Sequence, residues 1–385
     1  MQRLIVLNIF LALFSTCLAS FGHRYPVPFP KQKVLLAKNI TVFDPPENYN
    51  LPRTLYARAI ELKDGTLLAT WENYSPEPPL VYFPIFKSKD QGKTWKHISN
   101  VTDTVNGWGL RYQPDLLQLK TQYGQFPPGT ILCAGNSIPS DLSRTRIDVY
   151  ASFDNGYTWK FVSHVAEGGE AIPDNGLTPI WEPFFMEYGK KLVLYYSDQR
   201  DNATHGQKLV HTVTKNVKKW SPPVDDVVYD DYYARPGMTT VAKLPNGKYL
   251  MTYEYGGGPG FSTYQFPVYY RTSDSPLSFD SAPGIPLVAT DGTIPFSSPT
   301  VTWSPVGGRN GTLIVSSQSN TEVFLNQALG APNAWIRVPT GELASYTRRV
   351  YAFSHGRVLI IGGGQLSGAD NIVHLSTYLV KDFIA

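Results

Sequence analysis

Glu182 stands in the run PIWEPFF, walled by Trp181, Pro183 and Phe184. An apolar wall disfavours a carboxylate and raises its pKa, which is what a proton donor requires. Glu254 stands in MTYEYGGGPG, between Tyr253 and Tyr255 and ahead of a glycine run. Tyrosine hydroxyls beside it would keep this carboxyl ionised as a nucleophile, and bare glycine backbone would let a ligand come close. One protonated and one ionised carboxyl flanking a bond is the arrangement that cleaves glycosides. Glu72, in LLATWENYS, is a third candidate, directly before the sequon residue Asn73. The competing reading is structural: each glutamate hydrogen-bonds strand ends or pairs with Arg58 or Arg349.

For these residues to act together the chain must bring distant segments to one place, and its repeats indicate how. Six segments share a Gly-centred turn followed by an apolar run: KDGTLLATWEN at Gly65, PPGTILCAGNS at Gly129, YGKKLVLYYSD at Gly189, PNGKYLMTYEY at Gly247, RNGTLIVSSQS at Gly311 and SHGRVLIIGGG at Gly356. Each follows another strand-like run, such as LYARAIEL, GMTTVAKL or YTRRVYAF. The spacings are 64, 60, 58, 64 and 45 residues. Repeats of this length, each holding about four short strands and no helix, predict an all-β fold, a six-bladed β-propeller. The last interval is short, so the early segment KVLLAKNITVF is expected to supply the missing strand of the final blade and close the ring.

A second phrase recurs: SKDQGKTWK at Ser88–Lys96 and SFDNGYTWK at Ser152–Lys160. Asp90 and Asp154 are suited to holding turn amides, glycine to the left-handed position, and tryptophan to packing back on the blade. These residue types form no acid/base pair, so the phrase is construction. A worn copy, TSDSPLSF, spans Thr272–Phe279. The phrase resembles the Asp-box of the sialidase-like propellers, an architecture shared by catalytic and purely adhesive proteins.

The two arms of a hairpin have equal pitch, so residues seven before and seven after each turn glycine should finish at one rim, ~23 Å away at ~3.3 Å per residue. The count collects Arg58 and Glu72 in blade one, Asn136 in blade two, Glu182 in blade three, Glu254 in blade four, Gln318 in blade five and Arg349 or Arg348 in blade six. In blade two TQYGQF lengthens the first arm, so Tyr112 or Gln113 takes the place of the counted residue. Trp181, Tyr253 and Tyr346 join these as candidate sugar-binding residues.

The chain opens MQRLIVLNIFLALFSTCLAS, where a basic residue precedes an interrupted apolar run ending in small residues. This pattern predicts a signal peptide over residues 1–19, and hence a secreted protein whose single catalytic domain spans 20–385. Sequons begin at Asn39, Asn73, Asn100, Asn202 and Asn310, all candidate glycosylation sites. Of two cysteines only Cys133 lies beyond the leader, so no intrachain disulfide is expected and the core must stabilise the fold alone. With 34 basic and 31 acidic residues there is no charge stripe for nucleic acid or for a lipid surface. The seven histidines show no ligand spacing, so neither metal nor cofactor is expected. We expect a monomer acting on a polysaccharide.

At IWEPFF and TYEYGGG the chain resembles the exo-α-1,5-L-arabinanases of glycoside hydrolase family 93, secreted six-bladed propellers. The resemblance covers the whole mature chain. It implies retaining hydrolysis of linear arabinan from the non-reducing end, release of arabinobiose without a metal, and Glu182 and Glu254 as the catalytic pair. A sialidase is the alternative enzyme. However, the expected Arg-Ile-Pro after the aromatic residue is absent where the chain reads Tyr56-Ala57-Arg58-Ala59, and Arg58, Arg235 and Arg348 with Tyr346 would have to be recruited. A non-catalytic glycan-binding propeller is the third reading. A binding module would keep its affinity when Glu182 is replaced, whereas a hydrolase would lose turnover.

Overall fold

In the computed structural model, which describes residues 36–384, the apolar arms flanking each turn glycine pair as antiparallel hairpins, and two further segments complete each sheet. One strand, β1 (Ile40–Phe43), precedes the first blade. Blade one holds β2 (Thr54–Glu61), β3 (Leu67–Asn73), β4 (Phe83–Ser88) and β5 (Lys96–Val101). Blade two holds β6 (Leu110–Gln118), β7 (Ile131–Ser137), β8 (Thr145–Ser152) and β9 (Lys160–Gly168). Blade three holds β10 (Ile180–Tyr188), β11 (Lys191–Asp198), β12 (Lys208–Thr214) and β13 (Val224–Val227). Blade four holds β14 (Arg235–Lys243), β15 (Tyr249–Gly256), β16 (Val268–Ser273) and β17 (Ile285–Pro286). Blade five holds β18 (Thr300–Ser304), β19 (Thr312–Ser316), β20 (Val323–Asn326) and β21 (Trp335–Val338). Blade six holds β22 (Arg349–Phe353), β23 (Arg357–Gly362) and β24 (Val373–Leu379), and takes β1 as its outer strand. The fold is an all-β six-bladed propeller.

Closure follows the expectation. Ile40 pairs with Leu375 and Phe43 with Val373. Just before β1, the amide of Thr377 donates to the Ala37 carbonyl at 2.7 Å, and the Ala37 amide donates to Thr377 Oγ1 at 2.7 Å. The outer edge of the last sheet is therefore covered by chain from the opposite end of the sequence, 340 residues away. The predicted leader lies outside the described residues.

Apolar burial is arranged between neighbouring blades. Each adjacent pair owns one cluster: Leu68, Ile85 and Cys133 between blades one and two, Leu194 and Ile147 between two and three, and Met251 and Leu209 between three and four. The ring continues with Leu250 and Val315, then Ile314 and Ile360, and closes with Leu359, Ala57 and Val42 of β1. Both faces of a central blade are buried, so its middle strands read as continuous apolar runs rather than as an alternation. Cys133 is a free, buried thiol within one of these layers, and burial pushes its pKa up.

The repeated nine-residue phrase is construction. It follows the third strand of blades one and two. Asp154 accepts from the Thr158 amide at 2.9 Å, the Thr158 hydroxyl at 2.7 Å and the Ser152 hydroxyl at 2.7 Å, and Ser152 Oγ accepts from the Gly156 amide at 2.9 Å. Asp90 repeats the same set with Thr94, Ser88 and Gly92. Trp159 Nε1 and the Gly156 carbonyl both meet Ser99 of the preceding blade, at 3.2 and 2.5 Å.

Two further copies hide in the sequence. In TKNVKKW, Thr214 Oγ1 accepts from the Val217 amide at 3.0 Å, and Ser163 of blade two meets both Trp220 Nε1 (3.0 Å) and the Val217 carbonyl (2.7 Å). Val217 thus holds the glycine's place at φ 62°, a costly conformation for a β-branched residue. In blade five Asn326 Oδ1 accepts from the Gly330 amide at 3.0 Å, replacing the serine. The copy at Thr272–Phe279 is weaker: Asp274 points out to Lys248 at 2.9 Å, its side chain 85% exposed. Asp154→Ala should lower the free energy of unfolding by ~1–3 kcal/mol, and Asp274→Ala by less than ~0.5 kcal/mol, both read from urea denaturation.

Candidate active site

Four of the six innermost strands are distorted near one end, and the distortion builds the site. Register shifts fall between Leu55 and Arg58 in β2, Tyr112 and Asp115 in β6, Trp181 and Phe184 in β10, and Gly237 and Thr240 in β14. At or beside each lies a non-glycine residue in the left-handed region: Tyr56, Gln113, Glu182 and Met238, joined by Ser298 and Thr347 just ahead of β18 and β22, with φ between 43° and 62°. Each such residue costs of order 1–3 kcal/mol unless its surroundings hold it. A chain of hydrogen bonds around the mouth does so. The Gln113 amide donates to Glu72 Oε1 (2.9 Å), the Glu182 amide to Gln113 Oε1 (2.9 Å) and the Met238 amide to Glu182 Oε2 (2.8 Å). The Ser298 amide donates to Glu254 Oε2 (2.7 Å), and the Thr347 amide to Ser298 Oγ (3.0 Å). A polar side chain of one blade thus fixes the bulge of the next.

Glu182 and Glu254 both adjoin the Gly237–Met238 peptide. Glu182 Oε2 takes the Met238 amide and the Ser197 hydroxyl (2.5 Å), while Glu254 pairs in register with Gly237. A Cβ at position 237 would stand 2.9 Å from Gln207 Nε2 and 3.4 Å from Glu254 Oε1, so a side chain here would displace the Gln207 amide. Burial raises both carboxyls. Glu182 is raised by desolvation, opposed by its hydrogen bonds and by Arg235 and Arg58. Glu254 is pushed to about 7 by desolvation and then by the Glu182 charge, against the Ser298 amide, the Ser297 hydroxyl and Arg235.

The tyrosines expected to hold Glu254 ionised point elsewhere: Tyr253 is fully buried on the opposite face of β15, with its hydroxyl on that of Tyr229 at 2.7 Å, and Tyr255 stacks on the Tyr229 ring at 3.9 Å. Tyr253 is therefore a core residue and not a sugar contact. The glycine run is filled by the chain itself, since a Cβ at Gly256 would meet Phe266 at 2.6 Å and Tyr264 Oη at 2.9 Å.

The remaining rim residues divide. Glu72 is buried, accepts from Tyr74 Oη (2.8 Å), and is pushed to about 7 mainly by desolvation. Asn136 is buried and donates to Gln113 Oε1 (2.9 Å) and the Ile180 carbonyl (3.0 Å), so it braces Gln113. Trp181 is buried and spends its Nε1 on Gln199 Oε1 at 2.8 Å. Arg58 donates to the Thr347 carbonyl (3.1 Å) and lies 3.9 Å over the Tyr56 ring. Half-buried Tyr112 leans on Tyr74, Tyr346 stands edge-on to Tyr56, and Gln318 donates to Gln365 Oε1 at 3.3 Å.

Arg348 is a second correction. It is fully buried, and its guanidinium turns to backbone carbonyls of Thr321 (2.8 Å), Glu322 (2.5 Å) and Leu343 (3.2 Å). The hairpin count assumed unbroken pitch, and Thr347 breaks it. Asn73 is a third correction: it is buried with an enclosed Nδ2, so the folded protein has no room there for a glycan. Asn39 is exposed, while Asn100, Asn202 and Asn310 are half-buried.

Counting along hairpins missed Ser197, Ser297 and above all Arg235, which starts β14 and faces both glutamates. Among the described residues no group of three or more His, Cys, Asp or Glu is placed to hold a metal ion.

Solved structures resemble this chain closely. A GH93 α-L-arabinofuranosidase of Fusarium graminearum in complex with arabinobiose superposes with a TM-score of 0.90 at 57% identity, over 91% of this chain and 99% of that one. An α-L-arabinanase of Penicillium chrysogenum complexed with arabinobiose gives 0.89 at 54% identity, over 91% and 100%. A Hadza microbial sialidase shares the fold, with a TM-score of 0.61 at 13% identity over 90% and 69%. No protein-family model and no curated protein matches the chain. Replacing Gln113 by Ala would strand the Glu182 amide and Asn136 Nδ2; urea titration should show a loss of ~2 kcal/mol.

Proposed function

The chain belongs to glycoside hydrolase family 93, and from that premise we propose that it is a secreted, monomeric exo-α-1,5-L-arabinanase. It takes linear arabinan from the non-reducing end and releases arabinobiose with retention. The observation that carries this reading is the pair Glu182 and Glu254, buried beside one peptide, Gly237–Met238, in a chain 54–57% identical to enzymes solved with arabinobiose. The apolar leader opening with Arg3, and the sequons at Asn39, Asn100, Asn202 and Asn310, support export.

Where two interacting carboxyls share one proton, it settles where charge is least stabilised. Glu182 is opposed in its rise by two hydrogen bonds and by Arg235 and Arg58, whereas Glu254 is raised further by the Glu182 charge. The proton therefore rests on Glu254. In this assignment Glu182 attacks the anomeric carbon and forms the glycosyl-enzyme bond, as Glu254 gives its proton to the leaving oxygen. Glu254 then takes a proton from the water that releases the sugar. Amides and tyrosines around the pair, Gln113, Tyr112, Tyr346 and Gln318, suit the hydroxyls of an uncharged furanoside. The sialidase reading needed Arg348 at the rim, and that side chain is buried behind it.

Incubating the protein with debranched arabinan and, separately, with a sialoside should release arabinobiose from the first and nothing from the second; free sialic acid would overturn the reading. Glu182→Gln and Glu254→Gln should each lower kcat on arabinan by ~10²–10⁴-fold or more with the fold intact by circular dichroism. On an aryl α-arabinobioside with azide, Glu254→Ala should give the α-glycosyl azide by two displacements, and Glu182→Ala, if rescued, the β-azide by one; the opposite pairing of variant and anomer would reverse the two roles. The pH profile of kcat/KM should be a bell. Its basic limb lies near pH 7, where Glu254 loses the proton it must donate, and its acid limb lies above the ordinary glutamate value of 4.5, where Glu182 becomes protonated.

A further inference from the structure

Arg235 is held in an unusual way for a partly buried cation. Its Nη1 donates to Asn175 Oδ1 at 2.8 Å, and its Nη2 to Gln199 Oε1 at 3.1 Å and Gln207 Oε1 at 3.0 Å. All three acceptors are neutral amides, and no carboxylate forms an ion pair with it among the described residues. The amides are themselves anchored. Gln199 is fully buried, accepts Trp181 Nε1 and donates to the Asp174 carbonyl; Gln207 donates to the Pro236 carbonyl at 2.9 Å. Amide partners fix a guanidinium in place without cancelling its charge, whereas a carboxylate would do both.

The same network touches both reactive groups. Trp181 adjoins Glu182 in sequence, and Arg235–Met238 is the segment whose last two residues adjoin Glu182 and Glu254. Arg235 pairs with Gly256, two residues beyond Glu254 on β15, and Gln207, which holds it, adjoins the same Gly237 position as the Glu254 carboxyl; Tyr264, Glu182, Glu254 and Asp174 supply the charges around it. Glu182 also faces Arg58 and lies near Glu72, Tyr56 and Tyr346; Glu254 also faces Tyr264 and Tyr346.

We propose that Arg235 is a positioning residue that supplies unpaired positive charge to the Glu182–Glu254 pair, and so sets the pH range over which one carboxyl keeps the proton while the other is bare. The proposal rests on the catalytic assignment of these two glutamates. A positive charge favours the ionised form of each carboxyl, so removing it raises both pKa values and moves the whole window upward. Loss of one nearby unit charge is expected to shift each midpoint by about one pH unit.

The test has a chemical and a kinetic arm. In 13C-glutamate-labelled protein without substrate, the carboxyl resonances that vanish in Glu182→Gln and Glu254→Gln are titrated. In Arg235→Gln both midpoints should rise by about one unit, and in Arg235→Lys they should stay within a few tenths of the parent. Asn175→Asp sets a carboxylate where an amide now holds Arg235, and should reproduce part of the rise with the arginine still present. This variant keeps the test open should Arg235→Gln not fold. On arabinan both limbs of kcat/KM should move with the midpoints, and kcat should respond more than KM. Unchanged midpoints in Arg235→Gln or Asn175→Asp, or a loss confined to KM, would overturn the proposal and make Arg235 a sugar contact or a brace. The NMR arm needs no substrate, so failure of the arabinan reading alone would leave it standing.

Discussion

The peptide joining Gly237 to Met238 is the constraint on which the site depends. Its amide at Met238 is turned into the mouth because that residue takes the left-handed conformation, and Glu182 accepts it. Its glycine leaves space that Glu254 and Gln207 fill from two sides. Two carboxyls from neighbouring blades are thereby referred to one rigid piece of backbone, rather than to flexible loops. The arrangement repeats around the ring, where Glu72, Gln113 and Ser298 each steady the bulge of a neighbouring blade. Strain stored in the bulges and hydrogen bonds that relieve it are the same feature seen from two sides.

A propeller suits this task. Its apolar layers lie between blades, so each blade is a wedge with fixed neighbours, and the outer strand added from the chain's start locks the circle. The box-like turns sit after third strands, far along each blade from the bulged inner strands, and tie blade to blade through Ser99 and Ser163. Chemistry and construction thus occupy different positions of one repeat. This is why a strongly repetitive sequence can carry a site to which its blades contribute different side chains.

Much of this was legible in the sequence. Turn glycines and apolar arms gave blade number and strand order, because a hairpin's periodicity survives whatever its side chains do at the rim. Glu182 and Glu254 were found for a partly fortuitous reason: the count treated the inner arms as regular, and Glu182 is itself a bulge residue. Where the bulge shifts the pitch, the count fails, as with Arg348. Tyr253 misled because alternation along a strand places it behind Glu254 rather than beside it. Val217 and Asn326 concealed two box-like turns, since the backbone shape persists after its usual glycine or serine is gone. Arg235 was visible only as an arginine a sialidase would recruit; its setting comes from three amides distant in sequence that converge on it.

The central claim is that one glycosidic bond lies over the Gly237–Met238 peptide with a carboxyl on each side. A crystal structure of the Glu254→Gln variant with a linear α-1,5-arabino-oligosaccharide tests it most directly. The account predicts an anomeric carbon facing a Glu182 oxygen, with the glycosidic oxygen within hydrogen-bond reach of the side chain at 254. Sugar bound away from this peptide, or a scissile bond with both side chains on one side of it, would contradict the account.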